Sequence, residues 1–357
     1  MKTLILATCL LALPAAGESL DTLSAFETVK VADGVHAFIA RQTQSPLVSG
    51  NSVAIVGDDG VLVVDTGHFP SGTRRMIAAI RKLTPQPVRW VVNTHWHPDH
   101  VTGNSLYQDA FPLVTIVSTQ ATREAFESEL PKYEVGPMKA QLPLLREALR
   151  TGKTPRGKTV TDAQRVSFKQ MLEESGSALP DLETARHLAP SLTFEKELRI
   201  HLGKREVRVL FLGRGNTAGD AVVYLPDTKT LVTGDLVVYP VPYAFGSFFG
   251  EWVETIKAML ALEVTAIVPG HGPVLRDKTY PQLVSRLLAS MVTQAKASVA
   301  RGETVEQARV KLDIAALRAE VTRGEVELGK QLDQFVLDPG FPRAYREAKE
   351  GPLKDEN

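Results

Sequence analysis

The sequence predicts an α/β protein made of two strand-rich blocks, with a helical insertion between them and a helical extension after them. Short apolar runs bounded by turn residues predict the strands, and apolar residues repeated at helical spacing predict the helices. We place the main domain at residues 26–280, the insertion within it at about 120–190, and the extension at 281–357.

The first block contains four predicted strands and one helix. The turn Gly57-Asp58-Asp59-Gly60 separates the first two apolar runs and indicates a hairpin. Met76, Ile77 and Ile80 share one face of the helix. In chain order the predicted elements are strands at 52–56 and 61–64, a helix at 71–83, and strands at 88–92 and 113–117.

The insertion is predicted to be helical because Leu142, Leu145 and Leu149 recur at helical spacing. Pro155-Arg156-Gly157 interrupts it, and we expect the insertion to overhang the functional site. Strand patterns then return. The predicted strands of this second block lie at 192–200, 207–212, 221–225, 231–233 and 266–268.

The extension is also predicted to be helical. Thr304 and Gln307 have the spacing of a capping box at the start of one of its helices. Its amphipathic first helix can either cover the domain or form a homodimer interface, and the sequence leaves both open.

The charge balance argues against nucleic acid as a partner. The chain has 41 Lys and Arg residues and 41 Asp and Glu residues, giving a formal net charge of +0. Phosphate backbones require a basic surface, so we expect a small-molecule substrate instead. Beyond the N-terminal segment no apolar run is long enough to span a bilayer, so we expect no membrane contact in the mature form.

The N-terminal segment, residues 1–17, is typical of a signal peptide. Lys2 precedes a short apolar stretch at 4–13, and Ala15-Ala16-Gly17 supplies small residues for cleavage after Gly17. This predicts a periplasmic or secreted protein. The single cysteine, Cys9, lies inside the segment, so the mature chain would have neither disulfides nor thiolate metal ligands.

The segment Thr94-His95-Trp96-His97-Pro98-Asp99-His100 is the strongest functional signal. It places three imidazoles and a carboxylate directly after a buried strand pattern. Imidazole and carboxylate groups are ligands of Zn²⁺, and a cation relieves the repulsion and desolvation that such crowding causes. Metal-type residues also end two later strands, in Thr233-Gly234-Asp235 and in Pro269-Gly270-His271-Gly272.

The order of these motifs, with the Gly-rich turn at 212–220 between them, resembles the metallo-β-lactamase superfamily from about Ser52 to Pro273. The resemblance implies a four-layer αββα sandwich with the site at one edge, here carrying a helical insertion and a C-terminal helical extension. It implies that His95 and His97 bind a first metal ion. It also implies that Asp99, His100 and His271 bind a second metal ion and that Asp235 bridges the two ions. Asp65 is implied to support the ligands from behind.

One position departs from the pattern, because Asn216 stands where the family usually has histidine. Three alternatives are open for this position. Asn216 is a weak metal ligand, or it donates a hydrogen bond to substrate, or His68 takes its place as a ligand. An amide oxygen binds Zn²⁺ less well than imidazole, so we expect one firm zinc site at Asp99, His100 and His271 and a weaker second one. Manganese and iron remain compatible with these ligands.

The resemblance implies a zinc-dependent hydrolase that uses metal-bound hydroxide on an ester, lactone, amide or related electrophile. Asp99 would steer the nucleophile, and Tyr243 or Tyr239 would hydrogen-bond a developing oxyanion. These tyrosines belong to an aromatic loop at 239–249, which forms either a pocket wall or ordinary packing. The alternatives are a periplasmic β-lactamase and a non-catalytic, metal-dependent ligand-binding protein.

Overall fold

The computed structural model describes residues 18–42, 47–133 and 135–354. The predicted signal peptide at 1–17 lies outside the described residues. Among the described residues, no helix combines the length and the apolar character that crossing a membrane requires.

The first sheet has seven strands that follow one another in chain order across the sheet. The first four are antiparallel to their neighbours, and the last three run parallel to the fourth. The strands are β1 Phe26–Ala32, β2 Val35–Ala40, β3 Ser52–Val56, β4 Val61–Val64, β5 Val88–Val92, β6 Thr115–Thr119 and β7 Leu192–Phe194.

The second sheet has five strands in the order β12-β11-β10-β9-β8. Its neighbours are antiparallel except for β11 and β12, which run parallel. The strands are β8 Glu197–Leu202, β9 Arg205–Phe211, β10 Ala221–Leu225, β11 Thr230–Val238 and β12 Ala266–His271.

Helices lie at the N-terminus, between the strands and in the C-terminal extension. A short 3₁₀ turn at Leu130–Tyr133 precedes α6, and a π-helical turn at Asp333–Leu337 precedes α13. The α-helices are α1 Leu20–Leu23, α2 Pro70–Leu83, α3 Pro98–Val101, α4 Asn104–Ala110, α5 Gln120–Ser128, α6 Val135–Thr151, α7 Asp162–Leu182, α8 Phe249–Leu260, α9 Thr279–Ala300, α10 Val305–Lys311, α11 Ala315–Thr322, α12 Val326–Leu332 and α13 Asp338–Glu350.

The two sheets pack face to face over an apolar core, to which Ile55 and Val64 contribute from one side and Val209 and Val223 from the other. Helices α2 and α4 bury the outer face of the first sheet, and α8, α9 and α13 bury that of the second. The central strands are apolar on both faces, so the outer face of each sheet needs a helical cover. The four-layer αββα prediction is confirmed.

The insertion forms a helical hairpin of α6 and α7, which turns at 155–157 as predicted. Phe168 and Leu145 bury its inner face, and α7 also packs Leu179 and Leu182 against Phe69 of the main domain. The insertion is therefore attached to the loop that follows β4.

Two strand predictions were wrong. The predicted strand at 192–200 is split, because the exposed charged pair Glu195 and Lys196 separates β7 in the first sheet from β8 in the second. The strand predicted at 113–117 begins two residues later, since Leu113 is 95% exposed and belongs to the preceding turn. Strands β1 and β2, which pair at the edge of the first sheet, were not predicted from the sequence.

The extension covers the second sheet. Leu287 and Met291 of α9 share one core with Trp252 and Phe341. The capping box of Thr304 is confirmed: its hydroxyl accepts from the Gln307 backbone N–H, and the Gln307 side chain accepts from the Thr304 N–H. The homodimer interface stays a prediction.

Candidate metal centre

The site lies where strand ends of the two sheets meet. Asp65 directly follows β4, and the segment at 94–100 begins two residues after β5 ends. Asp235 lies within β11, and His271 is the last residue of β12. Because β4 and β5 run parallel, as do β11 and β12, their carboxyl ends lie at common edges, which is where open sheets build binding sites.

The predicted metal ligands form two triads, which we call the first triad (His95, His97, Asp235) and the second triad (Asp99, His100, His271). In the first triad, His95 Nε2 lies 3.7 Å and His97 Nδ1 4.0 Å from Asp235 Oδ2. In the second, His271 Nε2 lies 3.0 Å and His100 Nε2 3.4 Å from Asp99 Oδ2.

Asp235 faces both triads with different oxygens. Its Oδ2 is turned to the first triad, and its Oδ1 lies 3.3 Å from His100 Nε2 and 3.6 Å from His271 Nε2. This is the arrangement that a carboxylate bridging two cations requires. Gly270 permits it, because a Cβ there would lie 2.0 Å from Asp235 Oδ1.

Hydrogen bonding fixes which nitrogen of His100 faces the site. Its Nδ1 lies 2.8 Å from Asp65 Oδ2, and an ionised carboxylate only accepts, so Nδ1 carries the proton. Nε2 then presents its lone pair toward His271 Nε2, 3.3 Å away. Two imidazole nitrogens at this separation require a proton or a cation beside them, and a divalent ion fits this set of donors.

Thr94 fixes His95 in the same way. The Thr94 hydroxyl donates its only proton to Asp65 Oδ2 at 2.7 Å. It therefore accepts from His95 Nδ1, 2.9 Å away, which leaves His95 Nε2 as a lone pair facing the first triad. One buried carboxylate, Asp65, thus orients a ligand in each triad.

Two buried atoms of the site accept or donate no hydrogen bond within the described part of the chain: His95 Nε2 and Asp235 Oδ1. Buried polar atoms are normally paired, and leaving one unpaired costs about 1–3 kcal/mol. Ligand atoms awaiting a metal ion are the expected exceptions, so the residues present fit the metal that the sequence predicts.

The imidazoles of the site differ in proton affinity. Burial lowers the pKa of His95 well below its ordinary value, and the neighbouring His100 and His97 lower it further. Burial would also lower the pKa of His100, but the carboxylates of Asp99 and Asp235 raise it well above the ordinary value. The carboxylates of the site thus act most strongly on His100 of the second triad.

The carboxylates Asp99 and Asp235 are ionised. Burial would raise the pKa of each, yet His100 and His271 hold the pKa of both below the usual range for aspartate. Asp65 behaves differently, because its burial outweighs His100 and raises its pKa. Asp65 also adopts a left-handed backbone conformation with φ of 56°, an uncommon choice for a side-chain-bearing residue that turns the chain back behind the ligands.

Sequence reasoning missed two positioning residues, Thr94 and Asn51. Asn51 is buried and joins the sheets: its Oδ1 accepts from the Ala40 N–H, and its Nδ2 donates to the carbonyls of Pro269 and Gly272 around the ligand His271. An amide just before the mostly apolar strand β3 was the available signal, since such a group must find partners when it is buried.

Asn216 lies in the buried turn between β9 and β10. Its Nδ2 donates to the Tyr243 carbonyl, while its Oδ1 has no hydrogen-bond partner among the described residues. His68 donates from Nδ1 to the Val48 carbonyl at 2.7 Å, and it belongs to neither triad. The three alternatives for the first metal stay predictions.

Aromatic side chains border the two triads on opposite sides. Tyr243 packs its ring 5.3 Å from that of His271, and Phe335 of the π-helical turn lies 5.3 Å from Tyr243. On the other side, Trp96 lies 4.6 Å from His97 and contacts Tyr133 of the insertion at 5.6 Å. These distances join ring centroids.

Tyr239 points elsewhere. Its ring contacts Tyr280 at 4.9 Å and lies beneath the Arg323 guanidinium at 5.6 Å. Tyr239 reaches His271 only through its backbone, since its N–H donates to the His271 carbonyl at 3.1 Å. Of the two tyrosines considered for an oxyanion, Tyr243 is therefore the one whose ring packs against a metal-type ligand.

The fold brings together two adjoining triads, each of which could hold a metal ion. The sequence profile of the metallo-β-lactamase superfamily matches residues 45–271, and the chain belongs to this superfamily. The prediction of a hydrolytic enzyme is confirmed at the level of the superfamily, because the relatives found are an alkylsulfatase and metallo-β-lactamases.

A linear primary-alkylsulfatase of Pseudomonas sp. (strain ATCC 19151) is 26% identical over 249 residues, covering 65% of this chain and 43% of the alkylsulfatase. The chain thus spans less than half of that relative. A metallo-β-lactamase from Pontibacter korlensis superposes with a TM-score of 0.53 at 20% identity, covering 74% of this chain and 99% of the lactamase. The sec-alkylsulfatase Pisa1 from Pseudomonas sp. superposes with a TM-score of 0.62 at 17% identity, covering 96% of this chain and 54% of Pisa1.

Proposed function

We propose that this protein is a divalent-metal-dependent hydrolase whose substrates are sulfate esters carrying an apolar alkyl group. The observation that carries the hydrolase proposal is Asp235, whose two oxygens face separate ligand triads. The choice of substrate rests on the groups that line the approach to His271.

The two triads would hold the metal ions, with the firmer site at the second triad. Their nitrogen and oxygen donors suit Zn²⁺, and Mn²⁺ or Fe²⁺ also accept them. When bound, such ions polarise a substrate oxygen and lower the pKa of a coordinated water molecule toward neutrality.

The chain's own residues set the direction of attack. The side chains of His97 and Asp99 are 28% and 15% exposed, whereas His95, His100 and Asp235 are buried. Substrate must therefore approach over His97 and Asp99. The ionised Asp99 carboxylate lies at this opening and can orient an attacking water molecule by accepting its hydrogen bond.

The approach to His271 combines a positive charge with aromatic surface. A cleft beside it is lined by Arg41, Gln42 and Tyr243, and the Arg41 side chain is exposed. A guanidinium recognises the oxygens of a sulfate group. Phe245, which is 47% exposed, lies 6.3 Å from Tyr243 between ring centroids and extends the aromatic surface toward solvent, where an alkyl chain could lie.

The relatives support this substrate class over a β-lactam. The alkylsulfatase structure spans nearly the whole chain, including regions that the lactamase structure leaves uncovered. A β-lactamase remains the second candidate, because a metallo-β-lactamase type 2 of Bacillus sp. (strain 170) is 23% identical over 233 residues.

A substrate panel tests the proposal. Purified protein loaded with zinc should release inorganic sulfate from long-chain alkyl sulfates, and chelator should abolish the release. Preferential cleavage of a chromogenic cephalosporin or a lactone would overturn the substrate class. Tight alkyl sulfate binding without turnover would overturn the hydrolase itself and favour the binding-protein alternative.

The variant Phe335→Ala tests whether the aromatic surface binds the alkyl chain of the substrate. This change should raise KM about fivefold for long-chain sulfates and leave short-chain sulfates nearly unaffected, because a lost aromatic contact is worth roughly 1 kcal/mol. Leu113→Ala is the matched control, since Leu113 is an exposed apolar side chain that belongs to no core cluster. Equal effects on long and short substrates would exclude an alkyl site at Phe335.

We also propose that the protein is exported and cleaved after Gly17. The charged start, apolar stretch and small residues at 15–17 support this. Cell fractionation of an expressing bacterium, followed by N-terminal sequencing of the recovered protein, tests it. A cytoplasmic protein that retains residue 2 would overturn the proposal.

A further inference from the structure

The helical insertion contains a fully buried carboxylate that the metal site does not use. Glu174 lies in the middle of α7 with 0% of its surface exposed, and it belongs to neither metal triad. Placing a carboxylate in such a position is expensive unless strong donors surround it. Its surroundings therefore indicate what it binds.

One oxygen of Glu174 binds the start of the described chain. Oε1 accepts from the Gln170 side chain at 2.8 Å and from the backbone nitrogen of Glu18 at 3.2 Å. Directly after Glu18, helix α1 packs Leu20 and Leu23 into the cluster that also contains Leu179 of α7. The first residues after position 17 are thus attached to the insertion by both polar and apolar contacts.

Glu18 is also the first residue after the predicted cleavage site. Hydrolysis of the Gly17–Glu18 peptide by a leader peptidase breaks the C–N bond, and the oxygen of water joins the Gly17 carboxyl group. The nitrogen of Glu18 receives a proton from that water and takes up a further one at neutral pH, becoming an ammonium. The amide now seen beside Glu174 would then carry a positive charge.

We propose that Glu174 is the binding site for the new N-terminus, and that removal of the leader creates an ion pair between the Glu18 α-ammonium and the buried Glu174 carboxylate. A charge-assisted hydrogen bond is about twice as strong as a neutral one. Maturation would therefore fix the insertion onto the main domain.

The ion pair would affect the metal site through the apolar cluster that α1 and α7 share. Phe69 belongs to the same cluster as Leu23 and Leu179, and it directly follows His68 in the loop that begins at Asp65. Asp181, two residues after Leu179 on α7, also accepts from the Ser71 backbone N–H at 2.9 Å. An insertion held by the mature N-terminus therefore supports the loop that carries Asp65.

A double-mutant cycle tests the ion pair independently of export, on which the proposal otherwise rests. A removable tag cut directly before Glu18 gives the mature chain, and a second version retains Ala16-Gly17 ahead of Glu18. Each version is prepared with wild-type Glu174 and with Glu174→Gln, and the Tm of all four proteins is measured. Glu173→Gln, an exposed neighbour on the same helix, is the matched control.

We expect Glu174→Gln to lower Tm by about 5 °C in the mature chain and by less than about 2 °C in the extended chain, with no such dependence for Glu173→Gln. Trypsin should also cut at the exposed Arg156 turn faster in the extended chain than in the mature one. If Glu174→Gln does not fold, the two wild-type chains still test the ion pair: the mature chain should have the higher Tm and the slower trypsin cleavage.

Equal losses of Tm in the two backgrounds, or wild-type chains that do not differ, would overturn the ion pair. The proposed cleavage site and the proposed ion pair are tested separately. A secreted protein that begins at another residue refutes the cleavage site, while the four purified chains still report on the ion pair.

Discussion

The two triads share Asp235 yet differ in compactness. In the second triad the ligand nitrogens lie 3.0 and 3.4 Å from Asp99 Oδ2, whereas in the first they lie 3.7 and 4.0 Å from Asp235 Oδ2. The second triad has three ligands of its own and gains Asp235 Oδ1 as a fourth. The first depends on Asp235 for its only carboxylate, and Asn216 replaces the imidazole that the family usually supplies.

The two triads should therefore bind metal ions with different affinities. The second triad is the more compact and can draw on the carboxylates of both Asp99 and Asp235, so it should bind an ion first and hold it longer. The triads also differ in their surroundings, because the insertion contacts the first through Tyr133 and Trp96, and the extension contacts the second through Phe335 and Tyr243. Four sets of variants test whether the triads differ in metal affinity.

Asp235→Asn should have the largest effect, since it removes the negative charge that both triads share. We expect loss of both ions and a fall in kcat of at least about 10³-fold, equivalent to several kcal/mol of transition-state stabilisation. Elemental analysis and turnover measure the two effects. Asp33→Asn, on the exposed surface, is the control. Retention of two ions per chain would show that Asp235 is not the bridge.

His271→Ala and His97→Ala should separate the triads. We expect His271→Ala to lose the tightly bound ion, and His97→Ala to keep it while losing the ion that dialysis removes first. Metal content followed during graded dialysis against chelator measures both. If His97→Ala instead loses the tighter ion, the ranking of the two sites is reversed.

Asp65→Asn and Thr94→Val should act from behind the ligands. Asp65 orients His100 directly and His95 through Thr94, so its replacement should weaken both sites about 10- to 100-fold. Thr94→Val should weaken only the first site. Competition with a chromogenic chelator measures the affinities, and an equal loss at both sites in Thr94→Val would contradict the proposed path to His95.

Asn216→His should have the smallest effect and the opposite sign. An imidazole is a better zinc ligand than an amide oxygen, so affinity at the first triad should rise about tenfold while the second is unchanged. Isothermal titration of the metal-free protein resolves the two steps. If the native chain already binds two zinc ions tightly and the variant does not differ, Asn216 is not a weak ligand.

The ligand types were predictable from sequence because most of them sit in short motifs at strand ends, where local pattern and position agree. Asp235 is an exception: it was expected to end its strand, but β11 continues to Val238. His95 to His100 needed no long-range information, and neither did the strands β3, β4, β5 and β10. The division of Asp235 between two triads was implied only by resemblance, since oxygen orientation depends on the packing of one sheet on the other.

Other features depend on contacts between distant residues. Phe335 reaches Tyr243 across some ninety positions of sequence, so no local pattern could place it beside His271. The strand predicted at 192–200 was wrong because only two residues, Glu195 and Lys196, separate strands that belong to different sheets. The positions of Glu18 and Glu174 were likewise invisible, because a buried carboxylate in an amphipathic helix looks like any other charged residue until its partner is known.

Asn51 has a consequence for the geometry of the two triads. Its backbone nitrogen donates to the Gly270 carbonyl, and its side chain bonds Ala40 of the first sheet and Pro269 and Gly272 at the end of β12. A sliding movement of the sheets would break the three bonds to Pro269, Gly270 and Gly272 together. Each triad takes residues from both sheets, so its geometry is set by the stacking of the sandwich, and changes in core side-chain volume far from the ligands should alter it.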